Sequence, residues 1–335
     1  MIRFFEPQLD FMGIGTSCIV SRVQDGLVLK YALEEFSPLV ASEYAVLDEL
    51  EKQPFPAVLC RSILRIGRAN FVEGMKETLH RRLVQHEICY PDNPHRVMDV
   101  AELLPRSLVC RWTEQLSAAL AWLEQMGYAH GDLNLSNILL DDNDDLKLSD
   151  FDNTVKLGTQ LGVCQAFSRR DADGSCGIAG ALCTQFEVGS IIYQMVNGHE
   201  PYVKDWFEPD HGHACVDKQI NRECPPVADN DIGKIISRCW NGEFESIAAL
   251  HAATIELHPE MRRPSHLTTE RVEELRDICR GLLAEGITQK AAADARSFFG
   301  SMYHEEDGPE YTGATWKPLI LPPPAEPVEN ITVSG

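Results

Sequence analysis

The fold is decided by two neighbouring stretches, His130-Gly131-Asp132-Leu133-Asn134-Leu135-Ser136-Asn137 and Asp150-Phe151-Asp152. Asp132 and Asn137 stand in a predicted loop that leaves a helix and enters a short strand. The apolar runs 138–140 and 146–148 flank an acidic turn and predict a hairpin, which returns Asp150 to the start of that strand. Three oxygen-bearing side chains therefore converge, and carboxylate plus amide oxygen suits a hard cation such as magnesium.

This pattern resembles the catalytic loop of protein kinases, His-Arg-Asp-x-x-x-x-Asn, followed by their Asp-Phe-Gly metal-binding loop. The resemblance implies an α+β fold of two lobes, with a small β-rich N-lobe and a larger, mainly helical C-lobe. It makes Asp132 the catalytic base and makes Asn137 and Asp150 magnesium ligands, with ATP and Mg²⁺ as cofactors. By the same resemblance, His130 and Phe151 are packing residues that hold the two loops together.

The N-terminal part is rich in predicted strands and supplies the other half of the site. The runs 19–23 and 27–31 flank a short Asp-Gly turn and predict a β-hairpin whose second strand carries Lys30. Lys30 resembles the kinase lysine that contacts the α- and β-phosphates; an edge-strand lysine that reaches solvent is the alternative. A helix predicted from Ser37 to Glu51 carries Glu43, the implied partner of that lysine.

The remaining nucleotide contacts are implied by the same resemblance. Gly13 and Gly15 resemble the glycine-rich loop whose backbone N–H groups approach phosphate oxygens. Strands follow this loop, whereas a Rossmann dinucleotide site requires a helix there. Side chains of the two lobes would sandwich the adenine, and backbone groups of the 71–75 linker would bind its edge; this set comprises Val20, Val28, Leu139, Glu73 and Met75.

The resemblance covers most of the chain and sets the predicted boundaries. We predict a kinase-like domain at 8–285, divided into an N-lobe at 8–74 and a C-lobe at 75–285. A C-terminal helical extension is predicted at 286–304. The proline-rich segment 305–335 has too little apolar surface to order itself and is predicted to be a disordered tail. The chain looks most like the divergent protein-kinase-like proteins of filamentous fungi.

Three departures from the kinase pattern leave the phosphate acceptor open. Gly131 replaces an arginine that pairs with a phosphate on the activation segment, and Asn134 replaces a lysine that steadies the γ-phosphate. Asp152 replaces the glycine of Asp-Phe-Gly. The predicted function is transfer of the γ-phosphate of ATP to a protein hydroxyl, serine or threonine before tyrosine. A small-molecule kinase of the aminoglycoside or choline kinase type and a nucleotide-binding pseudokinase are the alternatives.

Composition narrows the class of partner. The formal net charge of −21 over 335 residues disfavours nucleic acid and anionic membrane surfaces, so the predicted partner is a protein substrate. No run approaches the roughly 18 apolar residues of a membrane helix. The 11 cysteines include no Cys-x-x-Cys pair, which favours free thiols and predicts the cytoplasm, or the cytoplasm and nucleus. A redox pair of Cys176 and Cys183 is a minor alternative.

Overall fold

A small lobe of strands precedes a larger lobe of helices in the computed structural model, which confirms the predicted α+β, two-lobed fold. The tail predicted at 305–335 lies outside the described residues. The structure describes residues 9–15, 18–32, 37–165, 167–207, 210–257 and 264–303.

Strands and helices are largely separated along the chain, because most strands come before most helices. The strands are β1 (Asp10–Ile14), β2 (Cys18–Gln24), β3 (Leu27–Ala32), β4 (Ser62–Ile66), β5 (Ala69–Glu73), β6 (Glu77–Thr78), β7 (Glu87–Tyr90), β8 (Asn93–Val100), β9 (Tyr128–Ala129), β10 (Ile138–Leu140), β11 (Leu146–Leu148) and β12 (Val155–Lys156). The helices are α1 (Ser37–Leu50), α2 (Leu79–Val84), α3 (Arg106–Gln125), α4 (Ala181–Asn197), α5 (His211–Asn221), α6 (Asp231–Asn241), α7 (Ile247–Ile255), α8 (Thr269–Ala284) and α9 (Ile287–Tyr303).

The small lobe is a five-stranded antiparallel sheet in the order β1-β2-β3-β5-β4. The predicted hairpin forms β2 and β3, with Val20 opposite Lys30. Side chains alternate between the two faces of a strand. Along β3, Val28 and Lys30 therefore face the cleft between the lobes, while Leu27 and Leu29 are buried on the other face of the sheet.

The last two helices cover that outer face of the sheet. Leu275 of α8 and Ile287 of α9 share one buried cluster with Leu29 of β3, and Arg276 Nε donates to the Ile63 carbonyl oxygen of β4 at 3.0 Å. The sequence predicted a C-lobe running to 285, whereas the structure places α8 on the small lobe. The reason is that the outer face of β3, formed by Leu27, Leu29 and Tyr31, is apolar and needs a cover, and the segment that supplies it lies more than 200 positions away.

We expect Leu275→Ala to lower the free energy of unfolding by about 2–5 kcal/mol, because Leu275 is 1% exposed and its removal leaves a cavity under the sheet. Urea unfolding measures the change. Arg280→Ala on the same helix is the matched control, since the Arg280 pair with Asp277 is exposed and its loss should change stability by less than about 0.5 kcal/mol. Equal stabilities of the two variants would contradict the packing of α8 on the small lobe.

The larger lobe is built around α3 and α4. These helices share one hydrophobic core with α6 and α7, in which Trp112 and Ile192 are fully buried. Gly189 of α4 permits the close approach of α6, because an added methyl group would lie 2.8 Å from Cys239 Cβ. The second predicted hairpin forms β10 and β11, and β10 also pairs with β6 beside the linker between the lobes. The β7–β8 hairpin is an element that the sequence pattern did not predict.

A disulfide bond joins Cys164 and Cys176, and the other nine cysteines are free. The prediction of free thiols throughout is therefore wrong for this pair, and Cys176 is paired with Cys164, not with Cys183. Pairing of cysteines depends on the path of the loop between them, which spacing alone does not specify. In the part of the chain that the structure describes, no helix combines the length and the apolar character needed to cross a membrane.

Candidate active site between the lobes

Lys30 forms the centre of a charged cluster in the cleft. Its Nζ atom lies 3.2 Å from Glu43 Oε1 on α1 and 2.7 Å from Asp150 Oδ1, and its side chain is only 16% exposed. Burial opposes the positive charge, but Asp150 and Glu43 outweigh burial and raise the pKa of Lys30 well above its usual value. The structure thus brings together three predicted site residues from β3, α1 and the loop after β11, and Lys30 does not extend into solvent.

The Asp132 carboxylate is held by amides of its own loop. Asn137 Nδ2 donates to the Asp132 carbonyl oxygen at 2.8 Å and to Oδ2 at 3.2 Å, while Asn134 Nδ2 donates to Oδ1 at 3.3 Å. Asn134 Oδ1 accepts from the backbone N–H of Ser136 at 2.8 Å, so this residue braces the loop where kinases usually carry lysine. Because Asn137 donates through Nδ2, its amide oxygen receives no hydrogen bond from any described residue and is available to a cation.

The loops that carry Asp132 and Asp150 are joined through buried aromatic rings. His130 and Phe151 pack edge to face with their ring centroids 5.7 Å apart, and His130 Nε2 lies 2.9 Å from the Ser149 carbonyl oxygen. Burial lowers the pKa of His130, which keeps the ring neutral as a donor to that carbonyl. Asp150 has a φ of 68°, an unusual conformation for a residue other than glycine. Burial would raise the pKa of Asp150, but the Lys30 ammonium holds it below its usual value.

Two departures from the kinase motifs have local structural reasons. Gly131 has a φ of 80°, and an added methyl group would overlap the backbone carbonyl oxygen of Asn153, so arginine cannot replace Gly131 without moving the chain. Asp152 does not have a positive φ, so its backbone does not call for glycine. Burial, together with the charge of Asp150, raises the pKa of Asp152 to about 7.

A cavity of about 410 Å³ opens between the small-lobe sheet and β10. It is wide enough for a small organic ligand, and its walls are mainly apolar with a charged end at Lys30 and Asp150. Gly15 N donates to the Cys18 carbonyl oxygen at 2.8 Å where the first two strands meet over this cavity. Its lining includes the whole set predicted for nucleotide binding, namely Gly13, Gly15, Val20, Val28, Lys30, Glu73, Met75 and Leu139.

The linker contributes backbone groups more than side chains. The Glu73 carboxylate forms a buried ion pair with Lys147 of β11 at 2.5 Å, so it holds the lobes together and is not turned toward a ligand. The Glu73 backbone is also engaged, since its N–H donates to the Arg61 carbonyl oxygen at 2.9 Å. Among the described residues, none hydrogen-bonds the backbone N–H or carbonyl of Met75, which leaves one donor and one acceptor at the cavity wall.

A second cavity of about 380 Å³ is lined by Asp132 and shares Gly15, Asn137 and Asp150 with the first. Its walls carry carboxyl groups that the sequence analysis did not identify. Burial raises the pKa of Glu187 to about 8 and that of Glu200 to about 6. The sequence did carry a signal that could have identified Glu187, because it is the one charged residue in the otherwise uncharged sequence of α4.

The donor set suits a magnesium nucleotide. Asn137 offers an amide oxygen and Asp150 a carboxylate, and oxygen ligands of this kind are preferred by Mg²⁺. Lys30 supplies a fixed positive charge in the same place. Asp132 lines the second cavity, and Asn137 and Asp150 line both, so a molecule in the second cavity would meet the Asp132 carboxylate beside the charged end of the first. Such a geometry can align an acceptor hydroxyl with a terminal phosphate.

Comparison with known proteins finds a matching family model and several relatives. Residues 70–284 match the family model described as the protein kinase domain. The chain is 28% identical to mitogen-activated protein kinase kinase kinase 1 of Arabidopsis thaliana over 168 residues. This aligned stretch covers 47% of this chain and 26% of that protein. It is 26% identical over 145 residues to CBL-interacting protein kinase 25 of Oryza sativa subsp. japonica, covering 38% of this chain and 26% of the relative.

A third relative, CBL-interacting serine/threonine-protein kinase 13 of Arabidopsis thaliana, is 33% identical over 101 residues, which cover 28% of this chain and 20% of that protein. The chain thus spans only a fifth to a quarter of the length of these three relatives. The family model begins at β5, so β1 to β4 lie outside it, yet Lys30 and Glu43 from that part join Asp150 in one cluster. Because the model covers more than half of the chain and the motif loops within it form the cleft, the chain belongs to the protein kinase family.

Proposed function

We propose that this protein transfers the γ-phosphate of ATP to a serine or threonine hydroxyl of a protein. The observation that carries the proposal is the convergence of Lys30, Glu43 and Asp150 with Asp132 and Asn137 where two cavities meet. A protein that only bound nucleotide would have no need of a carboxylate fixed in the wall of the second cavity.

Each part of the cleft has a proposed role in binding. Val20, Val28 and Leu139 would contact the two faces of the adenine, and the backbone of Met75 would bind its edge. Lys30 would bind the phosphates, and Asn137 and Asp150 would hold Mg²⁺, the ion that neutralises phosphate charge when it is bound. These residues position the nucleotide, which is the main contribution that proteins make to phosphoryl transfer.

Asp132 would act on the acceptor. Its carboxylate faces the second cavity, where it would orient the acceptor hydroxyl and take up its proton as the new bond to phosphorus forms. The choice of a serine or threonine acceptor is supported by one relative, whose name describes a serine/threonine-protein kinase. The strongly acidic chain, with a net charge of −21, favours substrates with basic surroundings.

The experiment that tests this proposal compares acceptor classes. The purified chain is incubated with γ-labelled ATP and Mg²⁺ together with basic protein substrates, an aminoglycoside or choline, and a parallel reaction contains EDTA. We expect Mg²⁺-dependent label on serine or threonine of the protein and none on the small alcohols. Label on a small alcohol alone would instead identify a small-molecule kinase, and label on nothing would identify a pseudokinase.

A further inference from the structure

The segment between Phe151 and α4 passes directly over the Asp132 carboxylate. Gln165 lies on this segment, and its side-chain Nε2 donates a hydrogen bond to Asp132 Oδ1. Asn134 also donates to Oδ1, and Asn137 donates to Oδ2. Each Asp132 carboxylate oxygen therefore already accepts a hydrogen bond from a side-chain amide. The Gln165 amide lies on the side of Asp132 that faces the second cavity.

A chain of hydrogen bonds fixes the backbone next to Gln165. The Gln165 N–H donates to Ser168 Oγ at 2.9 Å, and Ser168 Oγ donates to Glu187 Oε1 at 2.7 Å. Ser168 and Glu187 are both buried, so this connection ties the segment to the core helix α4. A second tie comes from Cys164, the residue immediately before Gln165, through its disulfide bond to Cys176.

The far end of the disulfide is anchored. Cys176 packs in a small buried cluster with Leu161, Ala179 and Cys183. The neighbouring Gly177 carbonyl oxygen accepts from Leu161 N–H at 3.0 Å and from Gln160 Nε2 at 2.9 Å. The covalent bond therefore connects the residue next to Gln165 to a packed support. Such a link raises the local concentration of the Gln165 amide at Asp132 without adding a new contact.

We propose that Cys164 and Cys176 form a redox modification site. In the oxidised protein the disulfide bond holds the Gln165 amide on the Asp132 carboxylate, and in the reduced protein Gln165 can move away from Asp132. This inference rests on the proposed kinase function, because the restraint acts on the group that would receive the acceptor proton. The nine free cysteines, among them Cys183 in the same cluster, do not tether Gln165.

A dithiol can reduce this disulfide bond, and hydrogen peroxide can form it again. Cys164 is partly exposed while Cys176 is buried, so the thiolate of a dithiol attacks Cys164 Sγ and Cys176 leaves as a thiolate. The second thiol of the reductant then displaces Cys164, giving two protein thiols and an oxidised dithiol. In the reverse direction, hydrogen peroxide oxidises the Cys164 thiolate to a sulfenic acid, and attack by Cys176 forms the disulfide; two thiols and one peroxide yield one disulfide and two waters.

The test compares oxidised and reduced forms of the full chain. One sample is treated with hydrogen peroxide and another with dithiothreitol, both reagents are removed, and the mass after alkylation shows two more alkyl groups on the reduced form. The oxidised form must break the hydrogen bond from the Gln165 amide to the charged Asp132 carboxylate before Asp132 can act. We therefore expect the reduced form to transfer phosphate about 10- to 100-fold faster. Oxidation of the reduced sample should restore the slow rate.

Three variants separate the tether from other effects. Cys164→Ser should be fast under both conditions, and Gln165→Ala should be fast even when the disulfide is intact. Cys89→Ser, at a free and partly exposed cysteine of β7, is the matched control and should respond to reduction as the wild type does. Equal rates of the oxidised and reduced wild type, with the mass difference verified, would overturn the proposal while leaving the kinase function intact.

If neither form transfers phosphate, that result counts against the proposed function itself. The redox proposal is then tested by a measurement that does not depend on activity. Amide hydrogen exchange of residues 161–168 should be faster in the reduced protein, because the tether no longer limits opening of this segment. Unchanged exchange in those residues would overturn the redox proposal on its own, whatever the activity.

Discussion

Replacing Asp132 with asparagine is expected to lower the rate of phosphate transfer by about 10²- to 10⁴-fold, the usual contribution of a general base. Asparagine has nearly the same shape; its side-chain oxygen can still accept from the Asn134 amide, and the backbone carbonyl of residue 132 still accepts from the Asn137 amide. What is lost is the negative charge in the second cavity, and with it the group proposed to take up the acceptor proton. Initial rates with labelled ATP measure the change.

Binding and folding are checked separately for this variant. Thermal unfolding with and without MgATP should show the same stabilisation as in the wild type, about 2.7 kcal/mol when ATP is a hundredfold above its dissociation constant. Asp142→Asn, the same chemical change in the exposed β10–β11 turn, is the matched control and should transfer phosphate at the wild-type rate. A rate for Asp132→Asn close to that of this control would remove Asp132 from the catalytic role.

Replacing Lys30 with methionine should lower kcat/KM for ATP by about 100-fold or more, because phosphates lose the charge that positions them. The change also leaves the Glu43 and Asp150 carboxylates facing each other without the ammonium that now lies 3.2 Å and 2.7 Å from them. Uncompensated buried charge is costly, so the variant should also unfold at a lower temperature than the wild type. Steady-state kinetics over a range of ATP concentrations separate weaker binding from slower transfer.

Lys52→Met provides the comparison for this prediction. Lys52 follows α1, its side chain is 62% exposed, and its pair with Glu49 is a surface contact of little energetic weight. This control should match the wild type in both kcat/KM and melting temperature. If Lys30→Met matched it as well, the ion pairs of Lys30 would have no part in ATP binding, and the role inferred for the cleft would be wrong.

Short-range patterns made part of this architecture predictable. The spacing of Asp132 and Asn137, and the two apolar runs of the β10–β11 hairpin, identify the loops because each feature lies within a few residues of the next. The same is true of the β2–β3 hairpin around its Asp-Gly turn. The pairing of Lys30 with Glu43 came from the family resemblance, whereas its ion pair with Asp150 was not predicted, since no local pattern connects residues 120 positions apart.

Features that depend on long-range packing could not be predicted in this way. The buried pair of Glu73 and Lys147 joins residues 74 positions apart, and neither side chain carries a sequence signal for it. The position of Gln165 depends on the path of the segment over Asp132 and on the Cys164–Cys176 bond. The packing of α8 on the small lobe depends on the outer face of β3, which is visible only once the sheet is assembled.

The central claim is that the site moves the γ-phosphate of ATP to a protein hydroxyl. It is tested most directly by measuring ADP and phosphoserine plus phosphothreonine in the same Mg²⁺ reaction, for the reduced wild type and for Asp132→Asn. We predict equal molar amounts of ADP and phosphorylated protein from the wild type, and about a hundredth of both or less from the variant. ADP without phosphorylated protein, or equal phosphorylation by wild type and variant, would contradict the claim.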